Sequence, residues 1–223
     1  MEFDELIQSR RSVHEYNDES IDRETLDGIF RDATLSPSGY NLQPWEFLAL
    51  RDDDRKETLR ELAYDQAHVT EADTTVVVLG NTDPTAHAEP VFDDWLAKGY
   101  LPNEEVRDGL VENVEGMGEL PTEERRIWTT RSTSLAAMTL LYAAWDRGVA
   151  TCPMEGFDAE GVVEAFDIPD GYEPVMLITL GYPAEGTTDI ENERKTRRPV
   201  DEVVHYGEFD PVEETSLGEV SNE

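Results

Sequence analysis

From Thr122 to Arg147 the chain carries its longest helical pattern, and the second half, Leu135-Ala136-Ala137-Met138-Thr139-Leu140-Leu141-Tyr142-Ala143-Ala144-Trp145, is apolar nearly all round. A surface helix keeps one polar face, so a helix apolar on every side has to be covered from several directions. It belongs at the centre of a domain or in a contact between subunits. Gly148 closes it.

The flanking segments supply material to cover it. Phe3, Leu6 and Ile7 recur at helical spacing ahead of Arg10-Arg11-Ser12, which predicts a short opening helix with a basic last turn. Asp22 is placed to cap a second helix bearing Leu26, Ile29, Phe30 and Ala33, and Ser36-Pro37-Ser38-Gly39 stops it. Trp45 to Leu50 reads as a strand and Asp52 to Ala63 as a third helix. Thr74 to Gly80 and Val175 to Gly181 are continuous apolar or β-branched runs, as expected of buried central strands. Residues 84–118 give acidic helical pieces broken at Pro90, Gly99 and Pro102, and predict a mobile excursion or lid. After Thr187 the periodicity disappears, which predicts an extended segment over residues 187–223 wrapping a surface, a partner subunit's included. With no repeat and no linker, residues 1–223 read as a single α+β domain.

Charge narrows the function. Lys+Arg 18 against Asp+Glu 51 leaves a formal net charge of −33, which excludes a nucleic-acid binder with a broad basic face and a protein held to anionic lipid by polybasic attraction. The apolar content, 38%, with four Trp, eight Tyr and seven Phe, is enough for a core, so the acidity is not that of a disordered chain. Dispersed carboxylates with only three lysines (Lys56, Lys98 and Lys195) fit a folded, halophilic protein, since molar salt cuts the Debye length to roughly 3 Å and screens self-repulsion. One cysteine, Cys152, supports neither an internal disulfide nor a thiolate metal site. No apolar run approaches a membrane span, and the acidic, amphipathic start is unlike a signal peptide, so the expected location is cytoplasmic.

In so acidic a chain the places where cations gather are informative. Arg10-Arg11-Ser12 and Arg194-Lys195-Thr196-Arg197-Arg198 suit an anion, a phosphate above all, through charge-assisted hydrogen bonds; equally, each cluster can pair with surplus surface carboxylates. Ser36 to Trp45 gathers hydroxyls and the amides of Asn41 and Gln43, which match the mixed donor and acceptor edge of a heterocycle or a polyol, or simply form a helix-ending turn. Pro153-Met154-Glu155-Gly156-Phe157 is a rigid turn where Gly156 permits close backbone approach and Glu155 is placed to cap the following helix, from Asp158. There is no dinucleotide fingerprint, no P-loop and no nucleophile elbow. His14, His68, His87 and His205 lack metal-ligand spacing, so no metal site is expected, and His87 with Glu89 reads as solvated.

Taken in order, Arg10 to Tyr16, Ser36 to Phe47, Pro153 to Phe157, Leu180-Gly181-Tyr182-Pro183 and Lys195 to Pro199 resemble the FMN-dependent nitroreductase family over most of the chain. The resemblance implies a mostly antiparallel central sheet flanked by helices, in an intertwined homodimer with FMN at the subunit interface. It implies that Arg10, Lys195 and Arg197 grip the phosphate, with Arg11 and Ser12 adding contacts, and that Ser38, Asn41 and Gln43 reach ribityl chain and ring from the partner chain. Pro153, Met154, Glu155 and Gly156 then lie against the flavin, with the Glu155 N–H directed at the reactive ring nitrogen. His14 stands where the family commonly has Arg or Lys, and His68 roughly matches a second basic position, so the reduced anion is better stabilised when imidazolium forms.

The implied activity is hydride transfer from NADH or NADPH, then electron delivery to a nitroaromatic, quinone or flavin, by a ping-pong mechanism. The same fold in relatives also serves reductive dehalogenation, oxygen-dependent flavin fragmentation and dehydrogenation, and a non-catalytic FMN-binding module is the remaining alternative.

Overall fold

Side chains able to accept a hydrogen bond set the helix starts. The computed structural model describes residues 1–185 and 193–212. After α1 (Phe3–Ser9), the Asp22 carboxylate accepts the Thr25 N–H at 2.9 Å and opens α2 (Arg23–Ala33), satisfying one of the N–H groups that a helix start leaves over. A 3-10 turn, Gly39–Asn41, leads into β1 (Trp45–Leu50), followed by α3 (Asp53–Leu62), α4 (His68–Glu71) and β2 (Thr74–Asn81). Then come α5 (Ala88–Ala97), α6 (Glu104–Gly118), α7 (Thr122–Asp146), β3 (Ala150–Met154), α8 (Ala159–Ala165) and β4 (Tyr172–Gly181). One compact unit ends at Glu185; the remainder is a second unit whose described part contains the helical turn Val200–Val203.

The four strands lie in the order β1-β2-β4-β3, every neighbouring pair antiparallel, so β1 and β3 are opposite edges. Strand residues alternate between faces, and the two buried strands feed two cores. Val76, Val78, Ile178 and Leu180 meet Leu26 and Ile29 of α2 and Leu140 of α7 on one face, while Val77 and Leu177 meet Leu59 of α3 and Val162 of α8 on the other. β2 is buried at every position, which is why its sequence does not alternate.

Several expectations change. Residues 84–118 carry the expected helical pieces as α5 and α6, which pack around Phe92, Val111 and Val114 together with Leu42. Pro90 lies in the first turn of α5, where its missing N–H is not needed, whereas Gly99 and Pro102 do separate the two helices. Asp158, not Glu155, caps α8, accepting the Gly161 N–H at 3.1 Å. In α1 only Leu6 is buried; Phe3 and Ile7 are exposed. α7 buries Ala136, Ala137, Leu140, Leu141, Ala143 and Ala144, yet Leu135 remains 50% exposed, so one chain covers this helix only in part. Two parts of the expected C-terminal wrap, residues 187–192 and 213–223, lie outside the described residues. Among those described, no helix is long and apolar enough to cross a membrane.

Candidate functional site

A parallel bridge joins Ser12 to Thr151, with the Val13 N–H donating to the Thr151 carbonyl at 3.1 Å, so the segment after α1 runs beside the start of β3. It is pinned further along by Tyr16, whose hydroxyl lies 2.8 Å from Thr179 Oγ1 in the interior and whose backbone bridges Pro183. The Tyr16 ring fits because position 181 has no side chain: a Cβ there would lie 2.7 Å from Tyr16 Cδ1. Next to it, burial first and then Glu19, Asp22 and Asp73 push the Tyr182 phenol above its ordinary range.

This anchoring brings separated sequence positions together. The His14 and His68 rings meet edge to face, centroids 5.1 Å apart, and His68 Nε2 lies 3.1 Å from Met154 Sδ at the end of β3. Beyond Met154 the chain turns tightly, Phe157 donating its N–H to the Glu155 carbonyl at 3.1 Å and Asp158 to the Leu62 carbonyl at 2.8 Å. Arg10, Arg11, Ser12, His14, His68, Pro153, Met154, Glu155 and Gly156 therefore form one strip along the β3 edge. Within it the Arg11 guanidinium donates to the carbonyls of Gln8 (2.6 Å) and Arg10 (3.0 Å), capping the end of α1.

Ser38, Asn41 and Gln43 lie elsewhere. Their loop feeds β1, the opposite edge, and three strand spacings amount to about 14 Å. Ser38 Oγ accepts the Gln43 N–H at 2.9 Å, and Tyr40, Asn41 and Gln43 all take left-handed φ values (53°, 57° and 47°). Such conformations cost on the order of 1–3 kcal/mol each and persist only where surroundings over-determine them. Here Asn113 Nδ2 donates to the Tyr40 hydroxyl at 2.9 Å, and His87 Nδ1 lies 3.0 Å from the Leu42 carbonyl. His87 is exposed, as its solvated reading expected, and it also ties α5 to this loop. Asn41 also lines a cavity of about 580 Å³ with Trp95, Lys98, Tyr100 and Leu101.

Lys195 and Arg197 belong to the second unit, where Arg197 donates to the Lys195 carbonyl at 2.7 Å and both side chains are exposed. Among the described residues no group of His, Cys, Asp and Glu is arranged to hold a metal ion. Sequence reasoning missed Gln66, whose Nε2 reaches the Gly156 carbonyl at 2.9 Å. The missing signal was conformational, because Gln66 is aimed by two left-handed residues, Tyr64 and Asp65, that no glycine announces.

Comparison with known proteins identifies the family. The nitroreductase family profile matches residues 7–182. The chain is 33% identical to the Bacillus subtilis protein named "Putative NAD(P)H nitroreductase MhqN", over 92% of this chain and 98% of that one. It is 32% identical to a protein of Thermus thermophilus named "NADH dehydrogenase", over 87% and 91% of the two chains. A solved structure from Exiguobacterium sibiricum, described as a "putative nitroreductase in complex with FMN", superposes with a TM-score of 0.81 at 30% identity, covering 92% of this chain and 97% of that one. The chain belongs to the nitroreductase family and is an oxidoreductase.

Proposed function

We propose that this protein is a cytoplasmic, homodimeric, FMN-dependent oxidoreductase that accepts hydride from NADH or NADPH and passes electrons to a small acceptor such as a nitroaromatic, quinone or flavin. The observation that carries this reading is the continuous strip from Arg10 to Gly156. Its donor set fits the cofactor: cations and a hydroxyl at one end, a histidine pair in the middle, and a backbone turn at the other, with about 10 Å of β3 from Thr151 to Met154 between. FMN, when bound, supplies the hydride and electron transfer.

The chain supplies position and electrostatics. Arg10 and Ser12 hold the phosphate, and the second unit's Lys195 and Arg197 are the other cations that the resemblance assigns to it. His14 and His68 border the ring, where imidazolium favours negative charge. Glu155 and Gly156 present backbone N–H groups at the reactive edge. Pro153 and Met154 cover one face. Ser38, Asn41 and Gln43, on the far sheet edge, complete the site only of a second copy, which supports the dimer. The side of the turn facing away from the sheet offers one place for nicotinamide and acceptor in turn, hence ping-pong kinetics.

Purified protein should be yellow, with about one FMN per chain, and should bleach anaerobically on adding NADH or NADPH. An acceptor panel containing a nitroaromatic, a quinone and a halogenated phenol then separates reductase from dehalogenase. A flavin that neither nicotinamide bleaches would favour a binding module, and a chain that takes up no FMN would end the proposal.

Halophily belongs to the same reading. With a net charge of −33, repulsion is screened over roughly 3 Å in molar salt against roughly 10 Å at 0.1 M. The melting temperature should therefore rise between dilute buffer and molar potassium chloride, and identical melts in the two would count against salt adaptation.

A further inference from the structure

We propose that Gln66 is a positioning residue that aims the Gly156 N–H at the cofactor, an inference that rests on the FMN reading above. One side-chain amide nitrogen has two hydrogens, and Gln66 Nε2 places them on two carbonyls: Ala63, at the end of α3, and Gly156, in the turn after β3, each at 2.9 Å. A trans peptide points its C=O and N–H in opposite directions. Fixing the Gly156 carbonyl therefore fixes the Phe157 N–H, which donates to the Glu155 carbonyl at 3.1 Å. The Glu155 carbonyl in turn shares its peptide plane with the Gly156 N–H, which must point away from the turn. The direction of that donor is set from outside the turn.

The support for Gln66 is itself rigid. Tyr64 and Asp65, at φ 55° and 58°, throw the chain back from α3, and the Asp65 N–H is held by the Arg60 carbonyl at 3.0 Å. At the far end of α4 the buried Lys56 Nζ donates to the carbonyls of Thr70 (3.1 Å) and Ala72 (2.9 Å). Gln66 on Gly156 and His68 on Met154 are thus two contacts of one short, clamped segment with the end of β3. Strained backbone of this kind persists only where its surroundings over-determine it. Glutamine is also specific here: an ionised glutamate has no hydrogen to give either carbonyl, and leucine keeps only the bulk.

The test compares wild type with Gln66→Leu, and with Gln66→Met should the leucine variant not fold. Asp158→Ala serves as control, since it removes the α8 cap without touching the Gly156 carbonyl. In this reading the Gly156 N–H stands beside that of Glu155 at the reactive edge, where the ring nitrogen is a better acceptor when oxidised than when it carries hydrogen. Loosening the donor should therefore weaken oxidised relative to reduced FMN by about tenfold, an upward midpoint shift of about 30 mV for a two-electron couple. Asp158→Ala should lower the melting temperature and leave the potential in place. A potential unchanged in the Gln66 variant, or moved equally in both, would overturn the proposal. If wild type binds no FMN, the cofactor reading fails by itself. Amide exchange at Phe157 in the free protein, whose N–H is the one held inside the turn, then decides: about tenfold acceleration in the Gln66 variant supports the positioning role, and equal rates refute it.

Discussion

Replacing Gly181 by alanine should cost about 3 kcal/mol and lower the melting temperature by roughly 6–12 °C, although alanine is the smallest substitution available. The backbone at 181 is not left-handed, so glycine is needed there for space. A Cβ would lie 2.7 Å from Tyr16 Cδ1 and 3.1 Å from Cγ, and 3.4 Å from the Asp73 backbone nitrogen. The flat Tyr16 ring, held by its hydroxyl 2.8 Å from Thr179 Oγ1, cannot slide aside without breaking that buried bond. Overpacking of a tight site costs about 1–3 kcal/mol, and orphaning a buried hydroxyl about 1–3 more. The loss should also reach the strip, because Tyr16 pins the Arg10–Asn17 segment on which His14 is carried; FMN should dissociate from Gly181→Ala more readily than from wild type. Thermal melts followed by circular dichroism, with flavin release read by fluorescence, check both. A melting temperature within about 2 °C of wild type would mean that Tyr16 is not anchored as described.

The same pair shows what was legible in the sequence. Leu180-Gly181-Tyr182-Pro183 was visible as a motif, yet the reason for its glycine lies in a tyrosine that is 165 positions earlier in the chain. Local chemistry was readable where a single segment determines it. The Asp22 cap, the β2 run and the span of α7 all follow from neighbouring residues, and all appear as expected. What was not readable depends on who meets whom. His14 against His68, and His68 against Met154, are contacts across the fold that spacing cannot announce. The α5–α6 region was legible as helical pieces, but not their packing, because its acidic surface outnumbers a small core of Phe92, Val111 and Val114. Left-handed Tyr40, Asn41, Gln43, Tyr64 and Asp65 are set by surroundings, and Tyr has no intrinsic liking for that region. The apolar half of α7 was read correctly in composition, and its incomplete cover within one chain is the part that structure added.

Leu135→Glu should weaken the proposed homodimer by roughly 10²–10⁴-fold and empty the flavin site with it. Along α7, Ile127, Leu135, Met138 and Tyr142 lie on one side at helical spacing, with Leu135 50% and Ile127 45% exposed. The patch continues through Phe3, 64% exposed and edge-on to Tyr142 at 6.3 Å, and through Leu35, which adjoins Ser36, whose hydroxyl reaches the Leu135 carbonyl at 3.4 Å. A stripe of this kind on a helix otherwise packed in the core fits a twofold contact, where one surface meets its own copy and every substitution counts twice. Two introduced carboxylates then lose apolar burial in the contact, and Arg131, one turn back on the same helix, offsets their charge only in part, costing about 3–5 kcal/mol of association. Folding should survive, because Leu135 points outward in the single chain and the buried face of α7 is untouched. Flavin should not, because Ser38, Asn41 and Gln43 lie at the sheet edge opposite His14, His68 and Gly156, and in the proposed arrangement a second copy brings the two sets to one cofactor. Sedimentation velocity at micromolar concentration, run with the flavin absorbance of the same sample, reads both effects at once. A stable Leu135→Glu monomer that retains full FMN would show that each chain builds its own site, and the two-chain arrangement proposed for this protein would have to be abandoned.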